Sequence, residues 1–138
     1  MATTTTISND VTRIKEDQEV LTASKAITAA DSGKTFLISG TGYTITLPEA
    51  TAGINYKFQV SAAFSTDALI QTPSTERDTI SGSLIVAGAV VDADAVDRVT
   101  FEDGAERIGD FIELSSDGSV WMLFGNGAQS SSITVGEL

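Results

Sequence analysis

Three aspartates at short spacing, Asp92, Asp94 and Asp97 in VDADAVD, are the residues whose types come closest to a chemistry. Carboxylates so arranged supply the hard oxygen ligands that calcium takes. The twelve-residue calcium-loop pattern is not met. Its sixth position, which needs Gly, falls on Asp97, and its twelfth, which needs Glu, falls on Asp103. The run therefore reads as a solvated acidic loop, with a weak calcium site left open. Glu102, Asp103, Glu106 and Asp110 form a second acidic group, tempered by Arg98 and Arg107. Two carboxylates standing about 5–10 Å apart across a cleft could hydrolyse a glycoside, but nothing in the spacing places two of these so. Gly125-Asn126-Gly127 is too short for a phosphate loop and follows no strand–helix pattern. The chain has no Cys and no His. That excludes disulfides, Cys/His zinc sites and nucleophiles activated by His. The expectation is a protein that is not an enzyme, with no catalytic residue, cofactor or metal.

The elements that would position such residues are strands. From Asp31 to Val60 the chain alternates apolar and polar positions: Phe36 and Ile38, then Tyr43, Ile45 and Leu47, then Tyr56, Phe58 and Val60. Gly40, Gly42, Pro48 and Gly53 punctuate the runs, and Glu49–Gly53 is compatible with one helical turn. Further runs place strands near 20–28, 68–72, 78–81, 83–87, 89–92, 98–101, 110–115 and 120–124. Asp117-Gly118 is a hairpin signal between the last two. Ile112 and Leu114 share a face, as do Trp121 and Leu123. Trp121, the only Trp, is expected in the core, with ligand stacking as the alternative. The aromatics Phe36, Tyr43, Tyr56, Phe58, Phe101, Phe111 and Phe124 sit at strand positions and are assigned to the core as well. Many short strands with turns between them imply an all-β domain, a compact sandwich or barrel of short antiparallel strands, over residues 20–125.

Both ends read differently. Residues 1–19 look like an extended arm: a polar Thr run, then Ser8, Asn9 or Asp10 as cap of a short helix through Gln18. Val11 and Ile14 give that helix too thin an apolar stripe to stand alone, so the segment is either a frayed terminus or an arm that orders on a partner. Residues 126–138 look like a flexible Gly/Ser tail carrying a short strand, Ile133, Thr134 and Val135, suited to pairing with its own sheet or a neighbour's. The net charge of −11 is uneven: residues 1–60 carry −1 and residues 61–138 carry −10. An acidic surface repels phosphate backbones and anionic lipid, so neither nucleic acid nor membrane is an expected partner. No apolar run approaches a membrane span.

Two stretches carry a resemblance. KTFLISGTGYTITLPEATAGINYKFQV has an aliphatic run, a Gly-rich turn, a strand ending Leu47-Pro48, small residues, and an aromatic-x-Phe-x-Val close at Tyr56–Val60. GDFIELSSDGSVWMLFGNG has Gly-Asp, a strand, Ser-Asp-Gly, and a strand bearing Trp121. In this order the two resemble the small all-β virion proteins of tailed bacteriophages, and by size the head decoration, or cement, proteins. The resemblance implies a structural protein made in the host cytoplasm that sits on the capsid surface of the virion. There it would bind the major capsid protein as a homotrimer and brace the assembled shell. Tail-fibre and baseplate modules share the pattern, so a receptor- or glycan-binding module is the alternative, with Tyr43 or Trp121 stacking on sugar. The arm, through Thr3, Thr4, Thr5, Thr6, Ile7, Val11 and Ile14, is the expected capsid contact. Ile133, Thr134 and Val135 are the expected subunit interface.

Overall fold

Alternation decides which face each strand buries. In Thr35–Gly40, Phe36 and Ile38 turn inward and are fully buried, while Leu37 turns outward. The structure, a computed structural model, describes residues 15–138. Its strands are β1 (Gln18–Val20), β2 (Lys25–Ala26), β3 (Thr35–Gly40), β4 (Thr44–Thr46), β5 (Asn55–Phe64) and β6 (Ala68–Gln71). They continue with β7 (Ile80–Val86), β8 (Ala89–Val96), β9 (Arg98–Phe101), β10 (Phe111–Ser116), β11 (Trp121–Gly127) and β12 (Ile133–Gly136). One 3-10 turn, Ala29–Asp31, is the only helical element among the described residues.

The protein is an all-β sandwich. One sheet has the order β1-β3-β5-β10-β11-β7-β8 and the other β12-β9-β6-β4-β2. The core between them joins Phe36, Phe58 and Trp121 of the larger sheet to Ile45, Ile70 and Phe101 of the smaller. The rings of Phe36 and Phe58 stack at 5.5 Å, and Tyr56 meets Trp121 at 5.8 Å. The sheets are mixed, not wholly antiparallel as expected. β1–β3, β3–β5, β7–β11, β2–β4 and β4–β6 pair in parallel, while β5–β10–β11, β7–β8 and β6–β9–β12 are antiparallel. Alternation fixes which face of a strand is buried but carries no information about the direction of its neighbour.

Local departures from the sequence reading have local causes. The segment 20–28 is two short strands, one in each sheet, because the chain crosses between sheets around the buried Leu21. The strands expected at 78–81 and 83–87 are one strand, β7. Its Gly82 (φ +151) marks a close approach: a Cβ there would lie 2.1 Å from the Leu123 carbonyl oxygen. Glu49–Gly53 forms no helical turn; it is a loop tied by both carboxylate oxygens of Glu76 to the Ala50 N–H. The expected arm shortens, since Gln18 and Glu19 belong to β1 and residues 15–17 are not helical. The Gly/Ser run of the expected flexible tail is a turn in the sandwich. β11 runs on to Gly127, the Ala128 N–H donates to Asp110, and β12 pairs antiparallel with β9 of the same chain.

Candidate binding surfaces

The acidic residues fall into two populations. Asp92 and Asp94 are exposed on the outer face of β8, which extends to Val96 instead of ending at Asp92. Ala95, with φ +54, breaks the alternation and sends Asp97 inward, where it is 2% exposed. The expected acidic loop is thus an edge strand followed by a buried carboxylate, and its three aspartates do not form a cluster. Asp97 instead meets Asp78 and Glu137, with an oxygen of each within 4.8 Å of the others. Its own oxygens are already occupied. Oδ1 accepts from the Asp78 N–H (2.7 Å), and Oδ2 accepts from Arg77 Nη1 (3.0 Å) and the Leu138 N–H (3.3 Å). Burial pushes the Asp97 carboxyl up, but these hydrogen bonds and the Arg77 charge outweigh it and hold it below the usual range. The group clamps the last residues of the chain to the turn before β7.

The second acidic group does similar work. Asp110 is buried and accepts from the Arg107 and Ala128 N–H groups, both at 2.9 Å. Glu106 is buried and accepts from the Phe64 N–H at 3.0 Å. Asp67 accepts from the Asp103 N–H, and Asp117 from the Ser119 and Val120 N–H groups of the hairpin turn. These carboxylates satisfy backbone donors that loops would otherwise leave unpaired. Each engages at least one oxygen in this way, as structural caps do; the other carboxylate oxygen of Glu106, Oε2, is buried with no hydrogen-bond partner among the described residues.

The outer face of the larger sheet is apolar where sequence placed core. Trp121 and Leu123 face inward, so Phe124 and Met122 face out, at 52% and 49% exposure. Phe124 meets the half-buried Phe111 at 6.2 Å, and Lys57 Nζ lies 5.1 Å over the Phe111 ring. Ile85 and Val90, paired across β7 and β8, are a second exposed apolar pair on this face, with Asn126 of β11 beside Ile85. A hollow of about 410 Å3 opens on this face, lined by Thr35, Asn55, Lys57, Glu113, Met122 and Phe124. The period-two rule applied from Trp121 would have found Phe124 and Met122 on the outer face; the hydrophobicity of Phe124 alone pointed to the core. Trp121 is fully buried, so it is not placed to stack on a sugar, and Tyr43 is half-buried. Ile133, Thr134 and Val135 pair with Phe101, Thr100 and Val99 of their own chain, and Ile133 is buried. Thr3, Thr4, Thr5, Thr6, Ile7, Val11 and Ile14, with the caps at 8–10, lie outside the described residues.

The two open sides of the sandwich differ. On one, Glu19 of β1 bridges to Lys25 of β2 (2.7 Å) and to Lys34 (3.1 Å), and Lys34 also binds Asp31 (3.0 Å). On the other, β8 and β12 leave a groove of about 390 Å3 with Val86, Val91, Ile133 and Val135 in its walls and Ser130 and Ser131 at its lip. Comparison with known proteins returned no matching family model, no matching curated protein and no matching solved structure.

Proposed function

We propose that this chain is a non-enzymatic structural protein of a tailed-phage virion, one that binds the outside of the capsid and braces the assembled shell. The observation that supports the reading best is the apolar patch of Phe124, Met122, Ile85 and Val90 on an otherwise acidic protein. Exposed large apolar side chains gathered on one sheet face in this way favour a surface for another macromolecule. The two sequence motifs that resemble virion proteins supply the partner, the major capsid protein. A protein that binds only the assembled state stabilises it by its binding free energy, and many copies on a symmetric shell add up. A homotrimer and an arm contact through residues 3–14 belong to the same proposal.

The test uses purified virions whose genome encodes the chain, with mass spectrometry for presence and imaging for position. Copies on the head surface are expected. Copies only on the tail would favour the receptor-binding alternative, and absence would end both. Co-sedimentation with expanded heads then locates the contact. F124S with M122S should keep the fold, because both side chains are half-exposed, and should lose binding. A chain lacking residues 1–14 spares β1 and tests the arm separately.

A further inference from the structure

The β8 edge differs from the β1 and β2 edges in what surrounds it. Among the described residues no strand pairs with its free side, so alternate N–H and C=O groups along residues 89–94, before the break at Ala95, face outward. The β1/β2 side is sealed by the ion pairs of Glu19, Lys25, Asp31 and Lys34. Beside β8, in contrast, the wall is apolar: Val86 and Val91 from the larger sheet, Ile133 and Val135 from the smaller. A strand added to β8 would turn one set of side chains into this groove. The other set would lie on the outer face next to Val90, Asp92 and Asp94. The site offers main-chain pairing and side-chain pockets together, as strand-addition sites do.

Charge decides between occupants. A second copy pairing antiparallel through its own β8 is disfavoured. Centred on Asp92, Ala93 or Asp94, the pairing sets aspartate directly against aspartate, and like charges opposite each other destabilise a sheet. Centred on Val91 it pairs only residues 89–93 and sets Val90 against Asp92. A segment with basic residues at alternate positions meets the same two aspartates favourably.

We propose that β8 is a strand-addition site for an extended segment of another protein. That segment carries Lys or Arg two residues apart on the outer face and small apolar side chains toward the groove. The inference needs no assumption about the capsid and stands or falls apart from it.

The probe is the hexapeptide Thr-Lys-Val-Lys-Val-Thr, titrated at millimolar concentration into the full isotope-labelled chain and followed by NMR shifts and amide exchange. Shifts should centre on 89–96 and 133–136, and the β8 amides not bonded to β7 should gain protection. D92K with D94K should weaken this peptide about tenfold. The same variant should bind Thr-Glu-Val-Glu-Val-Thr, which the wild type does not. No response to the Lys peptide, or an equal response to both peptides in the wild type, overturns the proposal. Protection of the same amides without peptide also overturns it. If that protection rises with protein concentration the occupant is a second copy; if not, it is the chain's own residues 1–14.

Discussion

Replacing Asp97 tests whether the buried carboxylates are structural. In D97A the Asp78 N–H loses a 2.7 Å acceptor, Arg77 loses its partner and the Leu138 N–H loses its tether. A hydrogen bond to a charged group contributes about 1.5–3 kcal/mol. The bond to Asp78 is the main one, because it holds a residue whose backbone sits at φ +57. The Arg77 side chain is half exposed and returns to water, so its pairing adds less than about 1 kcal/mol. The sum is about 3 kcal/mol, roughly 10 °C in Tm for a chain of this size. D97N keeps an acceptor for Asp78 and should lose about half as much. The pH dependence gives a second check. The folded carboxyl lies below the unfolded value of about 3.9, so its contribution is full above that pH and fades as pH falls through the folded value. The gap between wild type and D97N, by urea titration, should be flat from pH 8 to 5 and shrink below about pH 4. Equal stability of D97A and wild type at pH 7, or a gap between wild type and D97N that does not narrow as pH falls below about 4, would refute the account.

Three further outcomes are expected. G125A should cost about 3 kcal/mol or more, because a Cβ there would lie 2.5 Å from the Phe111 carbonyl oxygen and 2.9 Å from the side chains of Ile112 and Leu84; thermal denaturation measures it. W121A should cost about 3–5 kcal/mol as a core truncation, so any loss of binding in that variant must track loss of near-UV circular dichroism. Tyr56, whose hydroxyl donates to the Thr28 carbonyl at 2.7 Å, is pushed up to about 12 by burial and then by the charge of Asp31. An unfolded Tyr ionises near 10, so stability from this group is full below that pH and falls as pH rises toward 12; Y56F, which lacks the hydroxyl and its hydrogen bond, should lose less stability than wild type as pH rises over that range.

What was legible was the strand content and its inward face. Phe36, Ile38, Tyr56, Phe58 and Trp121 are buried where alternation put them, and the Asp117-Gly118 hairpin closes where its turn residues predict. Partner direction was not legible, because side-chain periodicity is the same for parallel and antiparallel neighbours. Charge misled in both directions. Asp92 and Asp94 suggested a loop and belong to an edge strand; Asp97, Glu106 and Asp110 suggested solvent and are buried. The roles of those three depend on N–H groups distant in sequence, such as Phe64 for Glu106 and Ala128 for Asp110. Phe124 was within reach of the same periodic rule that placed Trp121.

The order of the larger sheet has a consequence for how the chain is made. β10 and β11, synthesised after every other strand of that sheet, lie at its middle, with β5 on one side and β7 on the other. Until they emerge from the ribosome, β1-β3-β5 and β7-β8 are separate ribbons, one lacking the β5–β10 pairing and the other the β7–β11 pairing. β9 likewise waits for β12. Assembly is therefore late and dominated by distant pairings, which favours slow folding. Nascent chains stopped before Trp121 should expose raw edges that invite aggregation and degradation, so a shortened product would be removed before it could compete with the full one.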